Sequence, residues 1–240
     1  MKAAMILCAG FGTRLDEYTK NTPKPMLSIK GKPILEYTIE HLARLGITNL
    51  VINVHYLAEQ ITSYFTDGSQ WGVTISYSYE EKPLGTAGGV KKVENKLGTF
   101  NEFLVLYGDV VTNQDFLDLF AFHCTRPNAI ASIILHERNT SNSVVEMDSK
   151  NRIIRFIERP RTKVKDKKQK WVNSGLYCFN KKILNYLPPG QYCDFPKDIF
   201  PKLVSEGALY GYPLDGYRCA IDSPERYLRL QNDFEKENIF

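Results

Sequence analysis

The sequence predicts an α/β fold, a mostly parallel mixed sheet with helices on both faces, in a single domain over residues 1–240. Three observations carry that expectation. Strand-like and helix-like segments alternate through residues 1–125, as a parallel sheet with crossover helices requires. Phe103 to Tyr107 is a short apolar run suited to the sheet centre, and it stops at Gly108-Asp109. The 240 residues, 43% of them hydrophobic, suffice for one substantial core.

Taken in order, Lys2 to Leu7 reads as a first apolar strand, and Ile34 to Leu45 as a helix stopped by Gly46. Asn49 to Val54 is a second strand, Leu57 to Phe65 a helix, Val73 to Tyr79 an alternating strand, and Gly88 to Asn95 the opening of a further helix. The second half holds more strands, at Ala129 to Leu135, Val144 to Met147, Ile153 to Ile157 and Trp171 to Phe179, expected to extend the same sheet. Arg161 to Lys170, with six Lys or Arg and one Asp, reads as a solvated loop, or else as a lid or steering patch for an anionic substrate. A helix is expected over Pro224 to Lys236, with no hexapeptide repeat after it. In open α/β sheets ligands collect at the carboxyl ends of the strands, where Gly10, Gly85 and Asp109 fall or nearly so.

Bulk properties narrow the function classes. The formal net charge is +4 with the basic residues mostly scattered, so no nucleic-acid partner is demanded and small anions suffice. Five cysteines at Cys8, Cys124, Cys178, Cys193 and Cys219 have no Cys-x-x-Cys spacing, which argues against a disulfide framework or a zinc site and for reduced thiols in a cytoplasm. His41, His55, His123 and His136 lack ligand spacing and suit surface or structural roles. The apolar run Ala3 to Ala9 is too short for a signal sequence, and no run approaches the roughly 18 residues that span a bilayer, so no membrane association is expected. A homo-oligomer is compatible with the sequence.

Leu7-Cys8-Ala9-Gly10-Phe11-Gly12-Thr13-Arg14-Leu15 follows the first strand, and Pro23-Lys24-Pro25 comes soon after. Ala9, Gly10 and Gly12 let the backbone turn and bring its N–H groups close to an anion. Arg14 adds a planar charged fork, and Lys24 a second cation on a backbone stiffened by two prolines. Together they read as a triphosphate grip. The dinucleotide fingerprint fails for want of a third glycine, and the P-loop pattern fails because no Gly-Lys-Ser/Thr closes the turn.

Ala9 to Leu15, Pro23-Lys24-Pro25-Met26-Leu27 and Gly31-Lys32-Pro33-Ile34-Leu35 resemble the start of the sugar-1-phosphate nucleotidyltransferases, the nucleoside-diphosphate-sugar pyrophosphorylases. Leu84-Gly85-Thr86-Ala87-Gly88-Gly89, Tyr107-Gly108-Asp109, Glu158-Arg159-Pro160, Asn173-Ser174-Gly175-Leu176-Tyr177 and Ile221-Asp222-Ser223-Pro224-Glu225 follow in that family's order, so the resemblance spans essentially the whole chain. It implies a Rossmann-like fold, with a nucleotide-binding half over about residues 1–125 and a sugar-phosphate-binding half over about residues 126–240. It also implies Mg²⁺ and two substrates, an NTP and a sugar 1-phosphate.

Under that resemblance Arg14 grips the β- and γ-phosphates, Lys24 reaches the α-phosphate, and Leu7, Ala9, Gly10, Gly12, Thr13, Glu81, Gly85 and Thr86 surround the nucleotide. Glu158 binds sugar hydroxyls, Arg159 stands where the family has a phosphate-binding lysine, and Asn173 and Gly175 line the sugar pocket. Asp109 is the first metal ligand. Asp222 is the second, two positions beyond the aspartate of the common Asp-Ile-Gly-Thr-Pro-Glu pattern; the shift of two preserves side-chain parity in an extended segment. The alternative for Asp222 is a helix N-cap before Pro224, and for Glu158 and Arg159 a surface ion pair. A carboxylate at Glu81 suits guanine or cytosine, so the expectation is guanylyl transfer to mannose- or heptose-1-phosphate, with cytidylyl transfer to glucose-1-phosphate or to a non-sugar phosphate or phosphonate as the alternative. A non-enzymatic nucleotide-binding module is the remote alternative, supported only by the Ala220 and Asp222 rearrangement.

Overall fold

A computed structural model describes residues 2–138, 143–158, 171–236 and 239. Its strands are β1 (Ala3–Leu7), β2 (Ser28–Ile29), β3 (Lys32–Pro33), β4 (Asn49–Val54), β5 (Thr74–Tyr79), β6 (Glu102–Tyr107), β7 (Val110–Thr112), β8 (Ala131–Glu137), β9 (Val144–Met147), β10 (Ile153–Ile157), β11 (Trp171–Asn180), β12 (Leu209–Pro213) and β13 (Arg218–Ala220). The α-helices are α1 (Ile34–Arg44), α2 (Ala58–Phe65), α3 (Gly85–Lys92), α4 (Glu94–Leu97), α5 (Phe116–Cys124), α6 (Phe200–Ser205) and α7 (Pro224–Lys236). Seven strands form one sheet in the order β12-β8-β11-β6-β1-β4-β5, and β2-β3, β7-β13 and β9-β10 form two-stranded sheets. The α/β architecture expected from the alternating pattern is therefore present. Contacts divide the chain into two compact units, each discontinuous in sequence.

The first unit comprises Met1–Pro83, Leu106–Asp115 and Asp215–Phe240. β1 pairs with β4 in parallel from Ala3↔Asn49 to Leu7↔Asn53, and β4 pairs with β5 in parallel from Asn49↔Thr74 to Val54↔Tyr79. α1 ends where expected, with Gly46 in the left-handed region just beyond it. A separate apolar cluster joins Leu15, Leu27, Ile29, Ile34, Val111, Cys219 and Ile221 to Tyr227, Leu230, Phe234 and Ile239. The spacing of Tyr227, Leu230 and Phe234 puts them on one stripe of α7, so burying that stripe seats the helix beside β13. Tyr227 also donates its hydroxyl to the Ser28 carbonyl at 2.7 Å.

The second unit comprises Leu84–Val105 and Phe116–Leu214. β11 pairs antiparallel with β8, and β12 pairs parallel with β8. Its core is aromatic: Tyr177, Phe179, Phe195 and Phe200 are fully buried, with the Phe179 and Phe195 rings 4.7 Å apart. The expectation that Val144 to Met147 and Ile153 to Ile157 extend the main sheet is corrected. These strands pair antiparallel with each other, because Asp148 accepts from the Lys150 and Arg152 amides at 2.9 Å each and Asn151 is left-handed, which closes a local turn. Phe156 then packs edge-on against Phe200, with centroids 5.3 Å apart.

All five cysteines are free thiols. No described helix is long and apolar enough to cross a membrane. The histidines have structural partners: His41 Nε2 lies 2.8 Å from the Gln114 carbonyl, and His136 Nδ1 lies 2.9 Å from Ser174 Oγ.

His123, buried on α5 with Nδ1 2.8 Å from Ser132 Oγ, has its pKa lowered by burial from 6.5 to about 4. The unfolded chain therefore takes up this proton first as pH falls, and the stability present above pH 6.5 is lost between 6.5 and about 4. Denaturant midpoints followed from roughly pH 7.5 to 4.5 should fall across this window, and His123→Gln should flatten the profile there by about 2 kcal/mol.

Candidate active site

The turn after β1 is built around Gly12. Its backbone is left-handed, with φ 68°, and its carbonyl accepts from the Leu15 amide at 3.0 Å and from Thr19 Oγ1 at 3.1 Å. A Cβ at this position would meet Thr19 Cγ2 at 3.2 Å and Lys24 Cβ at 3.4 Å, so the glycine lets the turn close onto Lys24. Gly10 differs: it is exposed, and nothing lies within 4 Å of a Cβ there. Ala9 is buried, while Thr13 and Arg14 are exposed in a tight 3₁₀ turn over Thr13–Thr19. Pro23 is extended and buried, and it launches the short turn Lys24–Met26.

Lys24 points its ammonium at the Asp109 carboxylate, which it binds directly. Asp109 is carried by a junction with no spare room. The Gly108 amide donates to the Leu7 carbonyl at 3.0 Å, and a Cβ on Gly108 would lie 2.5 Å from Cys8 Sγ and 2.9 Å from the Leu7 oxygen. Burial, with Asp109 adding to it, pushes the Cys8 thiol far up, so it serves as packing and not as a nucleophile.

β7 and β13 pair from Arg218↔Thr112 to Ala220↔Val110, and the Ile221 amide prolongs this ladder by donating to the Asp109 carbonyl at 2.9 Å. Burial alternates across the next residues: Ala220 is partly exposed, Ile221 is buried and Asp222 is partly exposed again. The side-chain parity expected of the displaced aspartate is kept. Asp222 bridges two guanidinium groups, with Oδ1 3.0 Å from Arg226 Nη1 and Oδ2 3.9 Å from Arg14 Nη1. Ser223 supplies helix-end contacts: its Oγ accepts from the Arg226 amide at 3.4 Å and its carbonyl from the Tyr227 amide at 3.1 Å.

A buried polar chain runs beneath the glycine turn. The Cys8 amide donates to Asn53 Oδ1 at 2.8 Å, Asn53 Nδ2 donates to Glu80 Oε1 at 2.8 Å, and His55 Nδ1 lies 2.7 Å from the Glu80 carbonyl. Glu80 is only 4% exposed, whereas its neighbour Glu81, chosen from sequence, is exposed. One polar residue inside the apolar strand Leu50-Val51-Ile52-Asn53-Val54 is the signal that could have found this chain. Arg226, four residues beyond Asp222, was also legible as a helical ion-pair spacing.

In the second unit, Gly85 has φ 76° and packs on the Cys193 carbonyl, which would lie 2.5 Å from a Cβ there. The same carbonyl accepts from the Ala87 and Gly88 amides at 2.9 and 3.1 Å, so the first turn of α3 is closed by the protein itself. Thr86 Oγ1 accepts from the Phe195 amide at 2.9 Å and donates to Asp194 Oδ1 at 3.4 Å. Glu158, after β10, accepts from Ser143 Oγ at 3.2 Å. Asn173 and Gly175 form an irregularity in β11, where Asn173 Oδ1 accepts from the Gly175 amide at 3.1 Å and Nδ2 donates to Tyr177 Oη at 2.9 Å. Arg159 and the basic stretch Arg161 to Lys170 lie outside the described residues.

A family model for nucleotidyl transferases matches residues 3–235. The chain belongs to the nucleotidyl transferase family. Relatives include a UTP–glucose-1-phosphate uridylyltransferase of Synechocystis sp., 39% identical over 218 residues, which are 85% of this chain and 55% of the relative. A mannose-1-phosphate guanylyltransferase of Mycobacterium tuberculosis is 31% identical over 233 residues, 96% of this chain and 64% of the relative. The chain thus spans between about half and two thirds of these nucleotidyl transferases. HddC from Yersinia pseudotuberculosis, complexed with GMP-PN, has the same fold, with a TM-score of 0.80 at 25% identity over 98% of this chain and 100% of that chain. A Bacillus anthracis structure in complex with sucrose superposes with a TM-score of 0.84 at 20% identity, over 100% of this chain and 98% of that one.

Gly108→Ala should lower the melting temperature, at a cost of about 1–3 kcal/mol, because the clash falls partly on backbone that cannot yield. Gly10→Ala should leave the melting temperature unchanged within about 0.5 kcal/mol. Thermal unfolding of the two variants followed by circular dichroism checks the contrast.

Proposed function

We propose that the protein transfers a nucleotidyl group from an NTP to a sugar 1-phosphate, releasing pyrophosphate by in-line attack without a covalent intermediate. The observation that carries this reading is the pairing of Lys24 with Asp109 and of Arg14 with Asp222 around the Gly12 turn. A sugar phosphate is already an anionic nucleophile, so the protein must neutralise, align and clamp, and needs little proton chemistry. Arg14 holds the β- and γ-phosphates, and Lys24 meets charge developing at the α-phosphate. Leu7, Ala9, Gly10, Gly12 and Thr13 carry the backbone along the nucleotide, with Glu81, Gly85 and Thr86 toward the base. Glu158, Arg159, Asn173 and Gly175 serve the acceptor.

Among the described residues no group of three or more His, Cys, Asp or Glu is placed to hold a metal alone. The residues nonetheless fit Mg²⁺, which takes one or two carboxylates and completes its shell with water and substrate phosphates. Asp109 and Asp222, with side chains 26% and 28% exposed, would hold it. When bound, the ion would supply charge neutralisation on the phosphate oxygens.

Guanylyl transfer to mannose- or heptose-1-phosphate is the favoured specificity, supported by the guanylyltransferase relative and by the GMP-PN complex of HddC. Uridylyl transfer to glucose-1-phosphate is the second reading, on the strength of the 39% identical relative.

Pyrophosphate release measured with each common NTP, Mg²⁺ and mannose-, glucose- and heptose-1-phosphate should show turnover with one pairing dominant. Tight NTP binding with silence across all sugar phosphates would refute the reading. Asp109→Ala should abolish turnover with the fold retained, and Asp222→Ala should lower kcat by at least about tenfold, roughly 1.4 kcal/mol of transition-state stabilisation.

A further inference from the structure

We propose that Tyr56 is a positioning residue for the triphosphate end of the nucleotide: it fixes the loop that carries Gly12, Thr13 and Arg14, so that Arg14 is in place before the β- and γ-phosphates arrive. This deepens the nucleotidyl-transfer reading and rests on it.

The carboxyl end of β4 and the first turn of α2 hold the loop after β1 at four successive points. The Cys8 amide donates to Asn53 Oδ1 at 2.8 Å, and the Phe11 ring meets His55 edge-on, with centroids 4.9 Å apart. Phe11 also lies against Tyr56, with centroids 6.2 Å apart. Beyond the arginine, the Tyr56 hydroxyl is 3.1 Å from the Thr19 carbonyl and 2.7 Å from the Lys20 carbonyl, and Gln60 Nε2 donates to the Asn21 carbonyl at 2.8 Å. Tyr56 therefore touches the loop on both sides of Arg14, with its ring before it and its hydroxyl after it. The hydroxyl contact falls between Arg14 and Lys24 in the chain, so it bears on how the two cations are spaced.

The loop needs that support. Thr13–Thr19 is a seven-residue 3₁₀ turn, whereas such turns, with their poorer hydrogen-bond geometry, rarely run beyond about three or four residues. Among its described side chains Leu15 and Thr19 are buried, while Thr13, Arg14, Glu17 and Tyr18 are exposed. Apolar burial therefore anchors little of it, and Tyr56 and Gln60 hold its far end. Thr19 reaches back with Oγ1 donating to the Gly12 carbonyl at 3.1 Å, which carries the restraint to the glycine turn itself. Leu57, next to Tyr56, is left-handed at φ 48° and ψ 40°; that conformation is costly for a residue with a side chain, and such strain gathers where a site is being shaped. A role in packing α2 does not call for the Tyr56 hydroxyl, because Ile61 and Phe65 already bury that helix. A rigid loop does call for it, since a cation already in place binds phosphate without the entropy cost of ordering its loop.

Tyr56→Phe keeps the ring and removes only the hydroxyl. The test is calorimetric titration of the full chain with MgGTP and MgUTP, the tighter of the two being followed, alongside amide hydrogen exchange of the free protein. Tyr56→Phe should speed exchange across residues 12–21 and weaken the triphosphate, each by at least about threefold, as loss of one hydrogen bond allows. The matching nucleoside monophosphate, which lacks the β- and γ-phosphates, should bind within about twofold of its affinity for the parent. In an Arg14→Ala background, adding Tyr56→Phe should weaken the triphosphate by less than about twofold, because the arginine through which it acts is gone. Tyr64→Phe, which removes a hydroxyl that donates to Glu36 at 2.7 Å from the other end of α2, should match the parent in both measurements. Unaltered loop exchange in Tyr56→Phe, faster exchange with unchanged triphosphate affinity, an equal loss for the monophosphate, or the full loss persisting in the Arg14→Ala background would each overturn the proposal. Failure of the transferase reading would show separately, as absent turnover across the sugar phosphates with this pattern of nucleotide binding intact.

Discussion

Asp109 and Asp222, whose backbones are linked through the Ile221 amide on the Asp109 carbonyl, are each compensated by cations, and much of the first unit is arranged to deliver those cations. Lys24 reaches Asp109 from a proline-stiffened turn, and Arg226 reaches Asp222 from one helical turn away. Breaking either pair would strand a partly buried charge, which costs more than the intact pair contributes. The constraint therefore falls on the backbone: Gly12 must be left-handed, Gly108 must lack a side chain, and α7 must be held by its apolar stripe.

A second constraint lies beneath the glycine turn. The amide after β1 donates to the Asn53 side-chain oxygen, and the Asn53 side-chain nitrogen donates in turn to the Glu80 carboxylate. A buried amide, a carboxamide and a carboxylate thus tie the carboxyl ends of β1, β4 and β5 together. Such a chain rigidifies the turn because every link is buried and leaving one unmade is costly.

Much of the fold was legible where patterns are long. The strand at Asn49–Val54 and the helix at Pro224–Lys236 agree with the periodicity to the residue, since burial of a face over many residues leaves a clear signature. Val110–Thr112 and Arg218–Ala220 were not legible: three residues have no period, and each strand exists because the other pairs with it. The same limit applies to the site. Arg14, Lys24, Asp109 and Asp222 stand in recognisable motifs, whereas the Asn53–Glu80 bond does not, because alternation along β5 does not announce which carboxylate meets Asn53.

The sequence by itself determined the α/β class, the glycine turn after β1, the proline-flanked lysine and the aspartate after Gly108, because these follow from local composition: small residues after a strand, prolines around a lysine, and an acid after a glycine. Tertiary structure decided which charges meet. Arg14 lies against Asp222, Lys24 against Asp109, and Cys193 closes the first turn of α3, all through contacts between residues far apart in the chain. Charge pairing and hydrogen-bond satisfaction between distant residues act through space, so no local spacing encodes those pairs, and only the folded backbone sets the distances on which they depend.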